Sequence, residues 1–443
     1  MRQIKLTYVA LFVGLTLLWL LVDDFIMARY QFWPLRKVLV HYSGVLGIVA
    51  MSVAMVLAVR PRRFERFFDG LDKTYRLHKW LGISALVIAI FHWGWGQIPK
   101  WLVGFGWLEK PARRAGEGQM HEGIFALLQR FRGLAETIGE WAFYAAAILI
   151  VLALVKRFPY RWFFKTHRWL ALVYLALVAH SVVLTPPDYW TSPLGLVLAV
   201  MMVSGSVAAC ISLLRRIGRK HQVVGRIDGL THHRDNRVLR VDIKLDGPWP
   251  GHKAGQFAFV TFDDKEGPHP FSLSSAWCND GKLAFSIKGL GDYTRTLPDT
   301  LKVGDAVKVE GPYGCFDFHS RKPRQIWVAG GIGIAPFIGQ LQALAASGKG
   351  DNVDLFYCTS APDQSFIERI RELAARARVR LHVLVASEGG RLTPERLRQL
   401  APLWQDSDVW FCGPAGFGQD LSRDLQRHGL PPRDFHQELF NMR

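Results

Sequence analysis

Six long apolar stretches in the first half of the chain most constrain its fold. A helix needs about 20 mostly apolar residues to cross a bilayer, and the stretches that approach this length end at Leu214. The second half mixes charges, turns and short strand-like runs. We therefore expect a membrane-embedded half followed by a soluble half. The expected spans are Leu6–Val22, Val38–Val59, Trp80–Gln97, Trp141–Val155, Trp169–Leu184 and Pro193–Leu214.

The placement of basic residues orients these spans. The net charge is +18, but Lys and Arg cluster at the ends of the apolar stretches, which argues against a nucleic-acid-binding role. Residues 60–79, 156–168 and 215–220 carry seven, five and four Lys or Arg, whereas residues 185–192 carry none and the long connection 98–139 carries six. Cytoplasmic loops are the ones rich in Lys and Arg. Both termini and the soluble half are therefore predicted on the cytoplasmic side.

The cysteines exclude several kinds of cofactor and scaffold. The five cysteines form no Cys-x-x-Cys pair. A disulfide scaffold, a zinc ribbon and a plant-type iron–sulfur cluster are therefore not expected.

Four histidines near or within two spans are candidate metal ligands. His78 and His92 lie 14 residues apart in the third span region, and His167 and His180 lie 13 apart in the fifth. An ionisable side chain inside a bilayer indicates function, and neutral imidazole is a good iron ligand. The two spans run in the same direction, and each pair is separated by roughly 20 Å along its helix. His78 can therefore face His167 and His92 can face His180, which predicts two bis-histidine haems stacked across the membrane.

Three features of this half stay open. Thirteen residues do not return to the same face of a regular helix, so a tilt or a local irregularity must bring His180 round. His41, near the outer end of the second span, either lies beside the outer haem or is a hydrogen-bonded buried histidine. Connection 98–139 is either an interfacial helix over the outer haem or a solvated loop.

The soluble half divides into two predicted folds. Alternating runs with turns over residues 220–318 predict a small antiparallel barrel. From Arg324 onward, apolar strands alternate with helices and predict a parallel α/β sheet. The expected domains are 1–217, 218–320 and 321–443.

Two glycine-containing turns predict a nucleotide site in the α/β part. Each follows a strand, and ligands of parallel sheets bind at the carboxyl ends of strands. Glycines allow close approach, and a helix N-terminus offers free N–H groups to a pyrophosphate. The candidates are Gly330, Gly331, Gly333, Ala335, Pro336, Cys412, Gly413 and Pro414, with Ser360 as a possible contact to a 2′-phosphate.

Two stretches of the barrel are flavin candidates. In one, an aromatic ring and hydroxyls share a strand, so that the ring can pack on a flavin and a hydroxyl can bond its reactive nitrogen. In the other, glycine N–H groups can cradle a pyrophosphate. The candidates are His269, Pro270, Phe271, Ser272, Ser274 and Ser275 in the first stretch, and Lys288, Gly289, Gly291, Tyr293 and Thr294 in the second.

In combination, these motifs resemble the NADPH oxidase and ferric reductase superfamily, especially its compact bacterial members, over nearly the whole length. Gly311-Pro312-Tyr313-Gly314 and the ending Phe435–Phe440 add to the resemblance. It implies a six-helix haem-binding bundle, then a barrel that binds FAD and a ferredoxin-reductase-like α/β domain that binds NADPH or NADH. The sequence departs from many soluble relatives of the flavin domain at His269, where they have Arg.

The resemblance also implies roles and an activity. Ser272 would lie near the reactive nitrogen of FAD, Cys412 would line the nicotinamide site, and Phe440 would stack on the flavin until the nicotinamide displaces it. Electrons would pass from cytoplasmic NAD(P)H through FAD and two b-type haems across a bacterial inner membrane. The acceptor would be dioxygen, giving superoxide, or a ferric chelate. Alternatives are electron supply to a periplasmic protein or a quinone, and a flavin reductase on a haem-free anchor.

Overall fold

A computed structural model describes residues 2–23, 25–28, 30–110, 123–155, 157–346 and 348–438. These residues form two compact units: the first comprises Lys73–Ile217 and the residues before Asp69, and the second comprises Asp69–Asp72 and the residues from Gly218 onward. The first unit is helical, and the second contains both β-sheets.

Long apolar helices dominate the first unit. Its helices are α1 Arg2–Leu20, α2 Phe25–Ala28, α3 Phe32–Ala58, α4 Arg62–Phe68, α5 Leu71–Gly104, α6 Ile124–Arg130, α7 Arg132–Leu154, α8 Tyr160–His167, α9 Leu170–Leu184, α10 Pro187–Trp190 and α11 Pro193–Leu213. By length and composition, six segments can cross a membrane, namely α1, α3, α5, α7, α8 with α9, and α11. The six expected spans are therefore confirmed.

Helix α7 begins earlier than the sequence predicted, at Arg132 instead of Trp141. The added part of the helix contains Glu136 and Glu140. In the structure the Glu140 carboxylate accepts hydrogen bonds from Gln97 (3.2 Å) and Tyr144 (2.9 Å), which lowers the cost of a charge in the helix. The buried face of α7 consists of small residues, which lets helix backbones approach closely. They are Ala135, Gly139, Ala142 and Ala146.

An antiparallel barrel opens the second unit. Its strands are β1 Gln222–His233, β2 Val238–Leu245, β3 Phe257–Thr261, β4 His269–Ser272, β5 Lys282–Lys288 and β6 Ala306–Tyr313, with α12 Asp292–Thr300 before β6. The order is β4-β3-β6-β1-β2-β5, all antiparallel, and a bridge between Leu273 and Phe285 joins the two ends. The predicted barrel is confirmed. Strand β1 was not predicted, because two glycines and several charges interrupt its apolar pattern.

A five-stranded parallel sheet follows the barrel. Its strands are β7 Arg324–Gly330, β8 Val353–Thr359, β9 Arg380–Val385, β10 Ser407–Cys412 and β11 Phe435–Gln437, and its helices are α13 Ala335–Ala345, α14 Gln364–Ala377, α15 Pro394–Leu400 and α16 Ala415–Arg427. The order is β11-β10-β7-β8-β9. The chain first builds outward from β7 through β8 to β9, then returns to place β10 on the other side. The strand order thus reverses between β7 and β10, where such sheets form their ligand crevice.

Candidate functional site

Two pairs of histidine rings lie between α5 and the segment α8–α9. The ring centroids of His78 and His167 are 5.9 Å apart, and those of His92 and His180 are 6.3 Å apart. The planes within the pairs are inclined by 70° and 80°. The structure therefore brings together the rings that the sequence spacing paired, while their role as metal ligands stays a prediction.

The ring separations can be tested against one shared metal ion. An imidazole–metal bond is about 2 Å long, and the ring nitrogen lies about 1 Å from the centroid, so two rings on opposite sides of one metal have centroids about 6 Å apart. Both pairs have this separation. The two rings of each pair could therefore hold one haem iron between them.

Helix α3 holds both histidines of α5. His78 Nδ1 lies 2.9 Å from the Ala54 carbonyl oxygen, and His92 Nδ1 lies 3.0 Å from that of Val40 and 3.0 Å from Ser43 Oγ. A carbonyl oxygen only accepts, so each Nδ1 carries the proton and each Nε2 keeps its lone pair for a metal. Metal-binding histidines are commonly oriented in this way.

The histidines of α8 and α9 are held differently. His180 Nδ1 donates to the Ala135 carbonyl oxygen at 2.8 Å. A Cβ on Gly139 would lie 2.1 Å from His180 Nδ1, so only glycine admits this ring. The buried Nδ1 of His167 has no hydrogen-bond partner among the described residues. The His167 ring instead stacks on Phe163, with centroids 5.1 Å apart and planes inclined by 26°.

The irregularity required by the 13-residue spacing lies between His167 and His180. Helix α8 ends at His167 and α9 begins at Leu170. The carbonyls of Arg168 and Trp169 each accept an N–H from three residues later, at 3.0 Å. Such turns wind further per residue than an α-helix. The tightened turn therefore rotates His180 toward the face that carries His167.

His41 lies in a polar cluster beyond the outer pair. Its Nδ1 is 3.8 Å from Asp23 Oδ2, and its ring meets Tyr189 edge-on with centroids 5.8 Å apart. The Tyr189 hydroxyl donates to Asp23 and accepts from Trp19 Nε1. The structure shows His41 partly buried beside Asp23 and Tyr189, while its place beside an outer haem stays a prediction.

In the second unit, the two predicted glycine turns meet at the carboxyl ends of β7 and β10. A Cβ on Gly413 would lie 2.9 Å from Gly330 Cα, and one on Gly333 would lie 2.1 Å from the Cys412 carbonyl oxygen. Only glycines allow this approach. Burial, with the nearby Glu438 carboxyl group, raises the pKa of the Cys412 thiol well above its usual range. Cys412 is therefore a buried, neutral thiol at the carboxyl end of β10.

The barrel stretch around His269 forms an aromatic stack. The His269 ring stacks on Tyr293 (4.8 Å between centroids) and on Phe271 (6.2 Å). Burial lowers the pKa of His269 to about 4, so the ring is neutral at pH 7 and does not supply the charge of an arginine. The buried Ser272 Oγ has no hydrogen-bond partner in the described part of the chain, which leaves its hydroxyl available to a ligand.

Lys288 supplies a positive charge beside the glycine turn of the α/β sheet. Its Nζ lies 3.9 Å from the position of a Cβ on Gly331, whose φ is +57°. Burial, and then the charge of Arg237, lowers the pKa of Lys288. A cation and a left-handed glycine thus lie where an anionic ligand of this edge would bind.

Several predicted flavin contacts are already used within the barrel. Ser274 Oγ accepts from Ser286 Oγ at 3.2 Å, and Ser275 Oγ accepts a backbone N–H at 3.0 Å. Thr294 Oγ1 accepts the Gly291 N–H at 3.0 Å. These groups shape the barrel and the start of α12, and their contact with a flavin stays a prediction.

The other predicted residues fall in five places. Pro270 lies on β4 and Gly289 follows β5, Ala335 and Pro336 open α13, and Pro414 precedes α16 while Ser360 is exposed after β8. Phe440 lies outside the described residues.

Sequence reasoning missed the groups that orient the histidines. The carbonyls of Val40, Ala54 and Ala135 carry no side-chain signature. Gly139 could have been identified from the sequence as a site of close helix packing, because it lies four residues after Ala135 in a series of small residues on one helix face.

Two family descriptions match the chain. Residues 43–178 match the ferric reductase like transmembrane component, a segment that contains His78, His92 and His167 and ends just before His180. Residues 327–423 match the oxidoreductase NAD-binding domain. The chain thus combines a ferric reductase-like transmembrane component with an oxidoreductase NAD-binding domain. The superfamily expected from the motifs is thereby confirmed, and the protein is an integral membrane protein with an NAD-binding domain.

Curated relatives of this ferric reductase-like protein match it over part of its length. It is 29% identical to a flavohemoprotein of Vibrio cholerae over 180 residues (38% of this chain, 45% of the relative) and 30% identical to a flavohemoprotein of Pseudomonas putida over 193 residues (41% and 48%). The chain therefore spans about half the length of these relatives. Among solved structures, a flavohemoglobin from Malassezia yamatoensis has a TM-score of 0.48 at 15% identity, covering 90% of this chain and 94% of that one.

Proposed function

We propose that this ferric reductase-like protein transfers electrons from NAD(P)H on the cytoplasmic face of the bacterial inner membrane, through FAD and two b-type haems, to an acceptor on the outer face. The observation that carries the proposal is the pairing of four intramembrane histidine rings at separations of 5.9 and 6.3 Å. The proposed domains are a transmembrane domain (1–217), an FAD-binding barrel (218–320) and an NAD(P)H-binding domain (321–443).

The cofactors supply the redox chemistry when bound: flavin accepts a hydride and releases single electrons, and haem iron carries one electron at a time. The chain supplies ligands, orientation and exclusion of water. His78 and His167 would hold the inner iron, and His92 and His180 the outer one. Hydrogen bonds to Nδ1 keep Nε2 of three of these rings unprotonated, which is the form that binds a metal.

The second unit would bind both nucleotides. The turns after β7 and β10, which pack closely at Gly330 and Gly413, would bind the pyrophosphate of NAD(P)H, and Lys288 would add a positive charge beside Gly331. The free hydroxyl of Ser272 can donate to the flavin ring. The neutral Cys412 thiol is compatible with a nicotinamide above it, because it places no negative charge near the departing hydride.

An absorption spectrum of the purified protein tests the haem assignment. We expect low-spin haem signals that NAD(P)H reduces in lipid nanodiscs. His78→Ala should lose the inner signal and transmembrane transfer, while dye reduction on the cytoplasmic side persists. His41→Ala removes an intramembrane histidine outside the pairs and should keep both signals. Absence of any low-spin signal in haem-supplied protein would refute the proposal.

Electron acceptors then distinguish the possible activities. Dioxygen as acceptor predicts dye reduction that superoxide dismutase suppresses, whereas a ferric chelate predicts ferrous product that the dismutase does not affect. If the haems are reduced by NAD(P)H but neither acceptor reoxidises them, electron supply to a periplasmic protein or a quinone is the remaining function. NADPH and NADH are compared in the same assay.

A further inference from the structure

Helix α8 has two chemically different faces. Arg161, Trp162 and Lys165 are exposed, and the Trp162 side chain is 50% exposed. Phe163 and His167 occupy the partly buried face. A basic, Trp-containing face beside an apolar face is typical of helices at the membrane interface. Helix α8 forms the first turns of the segment Tyr160–Leu184, so its basic face belongs to the end of that span, where lipid headgroups would surround it.

Two cations are held against the exposed tryptophan. Arg161 Cζ lies 5.5 Å and Lys165 Nζ lies 5.6 Å from the centre of the Trp162 ring, within the range of cation–π attraction. Tryptophan is enriched at the level of lipid headgroups. The structure thus holds two positive charges against a side chain that favours the headgroup level, and an anionic phosphate is the group complementary to them.

The same membrane face carries a second amphipathic helix. Helix α4 joins α3 to α5, as α8 joins α7 to α9, so both connections lie on one side of the six spans. Phe64 and Phe67 of α4 are 40% and 56% exposed among arginines. This face therefore has the mixture of basic and aromatic side chains that favours an anionic leaflet.

The position of α8 has a consequence for the inner histidine pair. His167 is the last residue of α8, its Nδ1 has no partner among the residues that the structure describes, and its ring stacks on Phe163 of the same helix. The other three paired rings are hydrogen-bonded to carbonyls of neighbouring helices. The orientation of His167 therefore follows the orientation of α8.

We propose that the exposed face of α8 binds the headgroups of anionic phospholipids in the leaflet that it faces, and that this contact positions His167 opposite His78. The positioning part rests on the proposed haem ligation, whereas the lipid-binding part does not. Arg161 and Lys165 are the charges that select the lipid, and Trp162 sets the depth of the helix. The lipid does not touch His167; it holds helix α8, and helix α8 holds His167.

Retained lipid measures the first part of the proposal. Full-length protein is purified from nanodiscs that contain phosphatidylcholine and phosphatidylglycerol, and bound phosphatidylglycerol is counted by native mass spectrometry. Removing two interfacial cations should weaken this binding roughly 30-fold, so Arg161→Gln/Lys165→Gln should lose the lipid. The matched control Lys100→Gln/Arg130→Gln removes two exposed cations of connection 98–139, on the predicted opposite side of the membrane. This control should retain phosphatidylglycerol. Arg161→Lys keeps the charge and should also retain it.

Equal retention of phosphatidylglycerol in all variants would overturn the proposal and would leave an acidic protein as the partner of this face.

A reductive titration of the two haems measures the positioning part. Phosphatidylglycerol should shift the midpoint of the inner haem in wild type and in the control, but not in Arg161→Gln/Lys165→Gln. An unchanged midpoint with lost lipid would refute positioning. Absence of haem in every lipid would refute both the positioning of His167 and the proposed function. The number of retained phosphatidylglycerol molecules would still test whether helix α8 binds anionic lipid.

Discussion

The outer and inner histidine pairs have similar ring separations but different supports. Both rings of the outer pair, His92 and His180, donate Nδ1–H to carbonyls of other helices. In the inner pair only His78 does so, and His167 depends on a stack within its own helix. The outer site is fixed by helix packing in the membrane, whereas half of the inner site is fixed by a short helix at its edge. We expect the inner site to be the more adjustable of the two.

The largest expected difference between the pairs comes from removing one ring of each. In His180→Ala the inner haem signal should remain and NAD(P)H should reduce it. In His167→Ala the outer signal should remain but stay oxidised, because electrons reach it only through the inner site. Rapid-mixing absorption spectroscopy distinguishes these outcomes. Reduction of the outer haem by NAD(P)H in His167→Ala would reverse the assigned order of the two sites.

A single methyl group should damage only the outer pair. In Gly139→Ala the new Cβ would lie 2.1 Å from His180 Nδ1. Relief of such overpacking costs about 1–3 kcal/mol, which corresponds to a roughly 5- to 150-fold loss of outer haem affinity. Haem content by pyridine haemochrome, with the inner signal as internal reference, measures the loss.

Gly133→Ala is the matched control for Gly139→Ala. Gly133 lies on the same helix, and a Cβ there would meet nothing within 4 Å. This variant should keep both haems. If the two alanine variants behave alike, the close approach of α7 to His180 does not support the outer site.

A smaller effect is expected at the inner pair when its stacking partner is changed. Phe163→Leu removes a ring stacked 5.1 Å from His167, an interaction worth about 0.5–1.5 kcal/mol. The affinity for the inner haem should fall a few-fold, and the affinity for the outer haem should not change. Phe164→Leu, on the next residue of α8, is the control. A response of the outer haem would contradict the separation of the two supports.

The smallest effect is expected at Ser43, because His92 Nδ1 has a second acceptor. Ser43→Ala leaves the hydrogen bond to the Val40 carbonyl intact. Loss of one neutral hydrogen bond is worth about 1 kcal/mol, or about 40 mV for a one-electron couple. Spectroelectrochemistry should show at most this shift at the outer haem and none in the exposed control Ser204→Ala. A larger shift would show that Ser43 is the main partner of His92.

The sequence predicted what side chains and long apolar patterns encode. Six spans, an antiparallel barrel and a parallel sheet followed from hydropathy, alternation and turns, and the four histidines were identified by type and spacing. The start of α7 was misplaced because the partners of Glu140 lie on both its own helix and α5, which no local window contains. The partners of the histidines could not be predicted, because every residue has a carbonyl and only three-dimensional packing selects one.

The nucleotide site shows the same limit. Glycine turns could be found from sequence, but the contact between Gly330 and Gly413 depends on strand order, which places β10 beside β7. From Ser272 to Ser275, the sequence predicted three serine hydroxyls as flavin contacts, but it could not show which of them bond within the barrel. Ser274 bonds Ser286, which follows it by only 12 residues but lies on another strand. Only Ser272 of this stretch is a buried hydroxyl without a described partner.

The spacing of two carbonyls on helix α3 matches the spacing of the two histidine pairs. Val40 and Ala54, the two acceptors, are as far apart in sequence as His92 and His78 on the neighbouring helix. Inserting or deleting one residue between Val40 and Ala54 would turn one acceptor by about 100° away from its imidazole. This stretch should therefore tolerate changes of residue type far better than changes of length.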